Sequence, residues 1–147
     1  MMKRTHALLL AASLLAACQP KESGVARLET EVMALHDRVM PRTDELIDLK
    51  SQVSARLNAL DSLAKTGQLP PDREARRREG LAVSLALTEA DNAMSDWMNQ
   101  YNADSLKTLD EAGAEAYLLG EKKKIEAVQK QYDTSIERAK KYLQTTP

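Results

Sequence analysis

The chain contains no phenylalanine, one tryptophan, one cysteine and two histidines in 147 residues. Each shortage excludes something. Without phenylalanine and with a single tryptophan, a large aromatic core is ruled out. A lone cysteine has no intrachain disulfide partner, and it leaves no Cys-X-X-Cys-His haem site. No Gly-rich phosphate loop and no zinc-type histidine pair is present. Charge of one sign is not in excess: 21 Lys and Arg stand against 22 Asp and Glu, which disfavours nucleic acid as a partner. The apolar run Ala7 to Ala17, interrupted only by Ser13, has 11 residues. A spanning helix needs about 20 to cross roughly 30 Å of hydrocarbon. No segment alternates apolar and polar residues long enough to predict a strand.

The first of the features that are present is at the N-terminus. Lys3, Arg4 and His6 precede the apolar run, which is the charge-then-apolar order of a secretory signal. Leu15-Ala16-Ala17-Cys18 resembles the lipobox of bacterial lipoproteins, in which the cysteine thiol becomes a thioether to diacylglycerol. The resemblance implies a signal peptide over 1–17, removal of that segment, and a lipid on Cys18. The two or three acyl chains of such an anchor hold the protein on a membrane essentially permanently, because each buried methylene contributes about 0.8 kcal/mol. Gln19, where enterobacterial inner-membrane lipoproteins carry Asp, points to the outer membrane, with the protein facing the periplasm or the cell exterior.

Removing 17 of 147 residues leaves 130, one ordinary domain after a short tether over 18–23. Lys3 and Arg4 leave with the signal, so the mature balance is 19 basic against 22 acidic residues. Ala, Leu, Glu, Lys, Arg and Gln dominate, all strong helix formers.

From Val25 a three-four spacing runs through Leu28, Val32, Leu35, Val39, Arg42, Leu46, Leu49, Val53, Arg56, Leu60 and Leu63. This repeat predicts a helix packed along a seam over about Gly24 to Lys65. Pro41 interrupts it and predicts a kink or a break, or the start of a new helix with Asp44 and Glu45 in its first turn. Thr66-Gly67-Gln68-Leu69-Pro70-Pro71 is a stop signal. A second helix is expected from Pro71 to Tyr101 with Asp72 as N-cap and Val83, Leu87, Ala90, Met94, Trp97 and Tyr101 on one stripe. Its Arg73, Arg76, Arg77 and Arg78 read as a solvated face paired with Asp72, Glu74 and Glu79. Asn102 to Asp110 reads as a connection in which Asp104 or Ser105 caps a short turn. A third helix, Glu111 to Gln144, carries Leu118, Ile125, Val128, Tyr132, Ala139 and Tyr142 inward, with Gly113 and Gly120 weakening its start. Residues 24–147 are therefore expected to form an all-α domain, an antiparallel bundle of three long helices with the first kinked or broken near Pro41.

Carboxylates are abundant, but on helices of this composition they are ordinarily surface charges. No catalytic residues are expected, and neither is enzymatic activity. One cluster has chemistry. The mature chain keeps Met33, Met40, Met94, Met98, His36 and Trp97. If the first two helices fold back about the loop near Gln68, residue 40 lies level with about 97 and residue 36 with about 101. His36 and Met40 then form one i, i+4 pair and Met94 and Met98 another. Imidazole and thioether suit a soft ion such as Cu(I) or Ag(I), with Trp97 adjacent to shield it. The alternative is packing, since methionine is a flexible core filler that commonly contacts aromatic rings. On that reading His36 hydrogen-bonds a carboxylate or the carbonyl freed by Pro41.

His36-Asp37-Arg38-Val39-Met40-Pro41 and Asp96-Trp97-Met98 resemble stretches of small helical lipoproteins of Bacteroidota, some labelled viral A-type inclusion protein. That label reflects coiled-coil likeness and implies no activity. The expected function is thus a lipid-anchored helical module of the envelope, acting by contact with a protein partner or as a structural spacer. Its only expected cofactor is the alternative Cu(I). Ligand carriage inside the bundle is a weaker third reading, because nothing in the sequence marks a pocket.

Overall fold

The computed structural model describes residues 23–68 and 71–144. Leu15-Ala16-Ala17-Cys18, the signal over 1–17 and the tether up to residue 22 lie outside the described residues. The described residues form helices and no strand. These are α1 (Gly24–Val39), α2 (Thr43–Lys65), α3 (Pro71–Gln100) and α4 (Glu111–Gln144), with turns of 3-10 helix at Met40–Arg42 and Ala103–Lys107. With α1 and α2 taken as one broken rod, three helical rods pack against each other around a shared apolar core.

The break is local chemistry. Pro41 has no N–H to donate four residues back, and its ring crowds the carbonyl there, so the chain tightens into a 3-10 turn before α2 restarts. Asp44 and Glu45 occupy the first turn of α2, where negative charge meets the positive end of the helix. Ser23 caps α1, its hydroxyl accepting from the Ala26 N–H at 3.2 Å. At the end of α2, Gly67 takes φ 70° and the N–H groups of Gly67 and Gln68 return to the carbonyls of Ala64 and Leu63, which closes the last turn.

Two caps differ from expectation. Asp72 lies inside the first turn of α3 rather than at its N-cap, because Pro71, with φ already helical, takes the first helical position. In the α3–α4 connection the cap is Asn102, whose side-chain oxygen accepts from the Asp104 N–H at 3.1 Å, so Asp104 and Ser105 are capped rather than capping. Asp110 then starts α4 by accepting from the Gly113 N–H at 2.8 Å.

The expected stripes are the core. Val32, Leu46, Val53, Leu87, Leu118, Ile125 and Ala139 are fully buried. The seam departs from the strict repeat at its two arginines. From Val53 a step of four leads to Leu57, which is buried, while Arg56 lies on the flank and donates to the carbonyls of Tyr142 and Leu143 at 2.8 and 3.0 Å. Arg42 reaches Asp133 of α4. Both act as struts between rods.

Pairings between rods fix their directions. Lys50 meets Asp91 and Arg77 meets Asp61, so numbers rise along α2 as they fall along α3. Arg76 donates to the Tyr142 carbonyl and the Asn102 N–H to the Tyr117 hydroxyl, which sets α3 against α4 in the same opposed sense. Glu31 with Lys122 and Arg42 with Asp133 run α1–α2 alongside α4. Gly24, the α3–α4 connection and the start of α4 therefore share one end, here the leading end. The basic turn of α3 lies at the other end. Its Arg76 and Arg77 pair partly as expected, with Glu79 and Glu74, but also reach Asp61 of α2 and the Tyr142 carbonyl.

Tyr142 is gripped there by the guanidinium groups of Arg56 and Arg76, 5.5 and 4.7 Å from its ring centre. Gly80 makes room for it: a Cβ on residue 80 would lie 2.7 Å from Tyr142 Cζ and 2.9 Å from Leu57 Cδ2. A Cβ on Gly120 would meet open space. Gly120→Ala should thus stabilise the protein by about 0.5–1 kcal/mol through helix propensity. Gly80→Ala should lose that gain to overpacking and come out destabilised by about 1–3 kcal/mol. Urea unfolding of the pair checks the opposite signs.

Candidate functional site

At the leading end a row of rings crosses from α1 through α3 to α4. His36 lies 5.7 Å from Trp97, Trp97 stacks on Tyr101 at 5.1 Å, and Tyr101 lies 6.3 Å from Tyr117. Opposed α2 and α3 produce this: a stripe residue near the start of the first rod meets one near the end of the second. His36 is half-buried, and its Nδ1 lies 2.9 Å from Asp37 Oδ1.

The structure places the remaining candidate ligands differently from one another. Met94 is 2% exposed and belongs to the core, one turn inward from Trp97. Met40 is partly buried and packs against that core, as the antiparallel register expects of a residue one turn beyond His36. Met98 is 41% exposed. A step of four residues rotates a helical position by about 40°, and at the edge of the apolar stripe this rotation separates Met94 in the core from Met98 at the surface. Met33 is half-buried on α1, beside a surface groove also lined by Ala26, Thr30 and Asp37. The contact that joins the two expected segments is therefore His36 with Trp97.

One residue of chemical interest was not anticipated. Glu121 is 3% exposed, with Oε1 accepting from the Lys124 ammonium at 2.8 Å. That hydrogen bond raises the Lys124 pKa above its ordinary value. Glu121 Oε2, the Tyr101 hydroxyl and the Trp97 indole N–H are buried without a hydrogen-bond partner among the described residues. Burial pushes the Tyr101 phenol up, and the nearby Glu29 and Glu121 carboxyls and Tyr117 phenol add to the shift. The signal for Glu121 was its spacing: Ala114, Leu118, Glu121 and Ile125 continue one three-four stripe, which puts a carboxylate on the inner face.

Several other ionisable groups with shifted titration tie rods together. Glu31 is held below the usual carboxylate range by the Lys122 ammonium, and Glu45 by that of Lys140. Arg77 is raised by its hydrogen bond to Asp61. Among the described residues no group of three or more His, Cys, Asp and Glu side chains is arranged to hold a metal ion. No described helix is long and apolar enough to cross a membrane. No family model matches the chain, and neither a curated protein nor a solved structure does.

Proposed function

We propose that the protein is a non-enzymatic, lipid-anchored module of the cell envelope, held by acyl chains on Cys18 and acting through its helical surface on another envelope protein or as a spacer. The observation that carries this reading is a spacing. Cys18 closes a lipobox-like Leu15-Ala16-Ala17-Cys18, and five residues later Ser23 caps the first helix of a packed domain. Acylation at that position sets a complete bundle directly on a membrane. The outer membrane is the expected destination, from Gln19. Fractionation with mass spectrometry of the mature N-terminus should find an acylated Cys18 in the membrane, and a pull-down from detergent-solubilised membranes should return a protein partner. A soluble, unacylated wild type overturns the reading.

A soft-metal function is the second reading, motivated by the contact of His36 with Trp97, which brings the two segments that carry the candidate ligands together. His36, Met40, Met94 and Met98 would supply imidazole and thioether donors for Cu(I) or Ag(I). On this reading a reductive Cu(I) titration quenches Trp97 fluorescence at one equivalent, and Met40→Leu with Met98→Leu removes the quench while helicity is kept. Leucine preserves volume at a cost usually below about 1.5 kcal/mol. Without stoichiometric binding the contact is ring packing.

A further inference from the structure

The first turns of α4 carry apolar residues on two faces. Ala114, Leu118 and Ile125 point inward. A second stripe faces outward: Ala112, Ala116 and Leu119, spaced four and three apart, all exposed, with exposed Leu109 in the turn just before the helix, beside Gly113. Leu109 is 43% and Leu119 48% exposed. Four residues on, the same stripe ends in exposed Lys123. An outward apolar face that gives way to a lysine is the pattern of a helix lying at a membrane surface, with the long side chain reaching back to the headgroups.

The place of this stripe says what covers it. Glu115 and Lys122 border it on α4, and they lie beside Gly24 and Glu31 of α1. The first turn of α1 thus lies on the flank of the stripe. From Cys18 to Ser23 is five residue steps, which span at most roughly 18 Å when fully extended. The bundle is far longer, since the 34 residues of α4 rise about 50 Å. An anchor that short holds the leading end beside the bilayer while the far end is out of its reach. We infer that the Ala112–Ala116–Leu119 face of α4, with Leu109 in the turn before it, rests on the lipid bilayer and sets the orientation of the anchored bundle. The inference rests on lipidation of Cys18, as proposed above. The contact needs little affinity of its own, because the tether keeps its effective concentration high. A second copy is a poorer occupant: two half-exposed leucines and two alanines fall far short of the roughly 800 Å² per partner of a stable dimer. Asp110, Glu111 and Glu115 beside the stripe favour zwitterionic over anionic headgroups.

Acylated Cys18 carries no free thiol, so Leu119→Cys supplies the single labelling site of the full chain. An environment-sensitive fluorophore on it, in acylated protein reconstituted into phosphatidylcholine vesicles, should shift to the blue. Shallow spin-labelled lipid should quench it at least twofold more than the same label at Leu81→Cys. Leu81 is also exposed, on α3, but lies about 28 Å further from the leading end. Ala116→Cys should behave as Leu119→Cys, and helicity is checked for each variant. Equal, aqueous-like signals from acylated protein overturn the inference and leave the anchor standing, as does cross-linking of two copies through position 119. A mass showing no acyl chain on Cys18 overturns both.

Discussion

Leu46→Ala should lower the free energy of unfolding by about 2–5 kcal/mol, toward the upper part of that range. Leu46 is fully buried in the first turns of α2, just past the Pro41 break. The truncation removes transfer energy and leaves a cavity, and the second term depends on how far the neighbours can close in. Here they are restrained. Arg42 is tied to Asp133 and Glu45 to Lys140, so the start of α2 is held against α4 on both sides of the site. The adjacent Ile47 is 53% exposed, and Ile47→Ala should stay within about 0.5 kcal/mol. Urea unfolding with an unchanged slope would verify the pair. A Leu46→Ala variant as stable as Ile47→Ala would mean that α2 does not pack as described.

Cys18→Ala should abolish anchoring. On the lipobox reading proposed above, the expected product keeps residues 1–17 and bears no acyl chain, because on that reading both lipid transfer and cleavage use the cysteine. One myristoyl-length chain alone binds a bilayer only marginally, and a second chain converts this into essentially permanent attachment, at about 0.8 kcal/mol per methylene. Among the described residues nothing replaces such an anchor: the outward apolar surface at the start of α4 offers two half-exposed leucines, and no described helix is long and apolar enough to span a membrane. Fractionation and intact mass distinguish the outcomes. A Cys18→Ala protein that is still cleaved after Ala17 and retained in the outer membrane would remove the lipobox reading altogether.

The leading-end site was legible in part. That His36 approaches Trp97 follows from counting residues on either side of the loop near Gln68, and the ring contact is present. The stacking of Trp97 on Tyr101 is an i, i+4 contact within one stripe, whereas its continuation to Tyr117 needed the third rod; neither was foreseen. Glu121 was hidden by its type. A carboxylate on a charged helix is ordinarily read as a surface residue, although its spacing put it among Leu118 and Ile125.

The sequence by itself determined where the helices begin, bend and stop, and which face of each turns inward. Pro41 removes a backbone donor, Gly67 takes a positive φ, and Pro71 carries a helical φ from the outset. The three-four spacing of apolar residues forces one face out of water. All of these act within a few residues and need no neighbour. The tertiary structure decided the residues on the flanks of those faces. Arg42 and Arg56 became struts because Asp133 and the last carbonyls of α4 lie opposite them. Met94 entered the core while Met98 stayed at the surface, and Glu121 was buried beside Lys124. A helical period fixes a face only to within about one residue's rotation. Whether a flank position meets protein or water depends on where the next rod lies, and that is set by the packing of all three together.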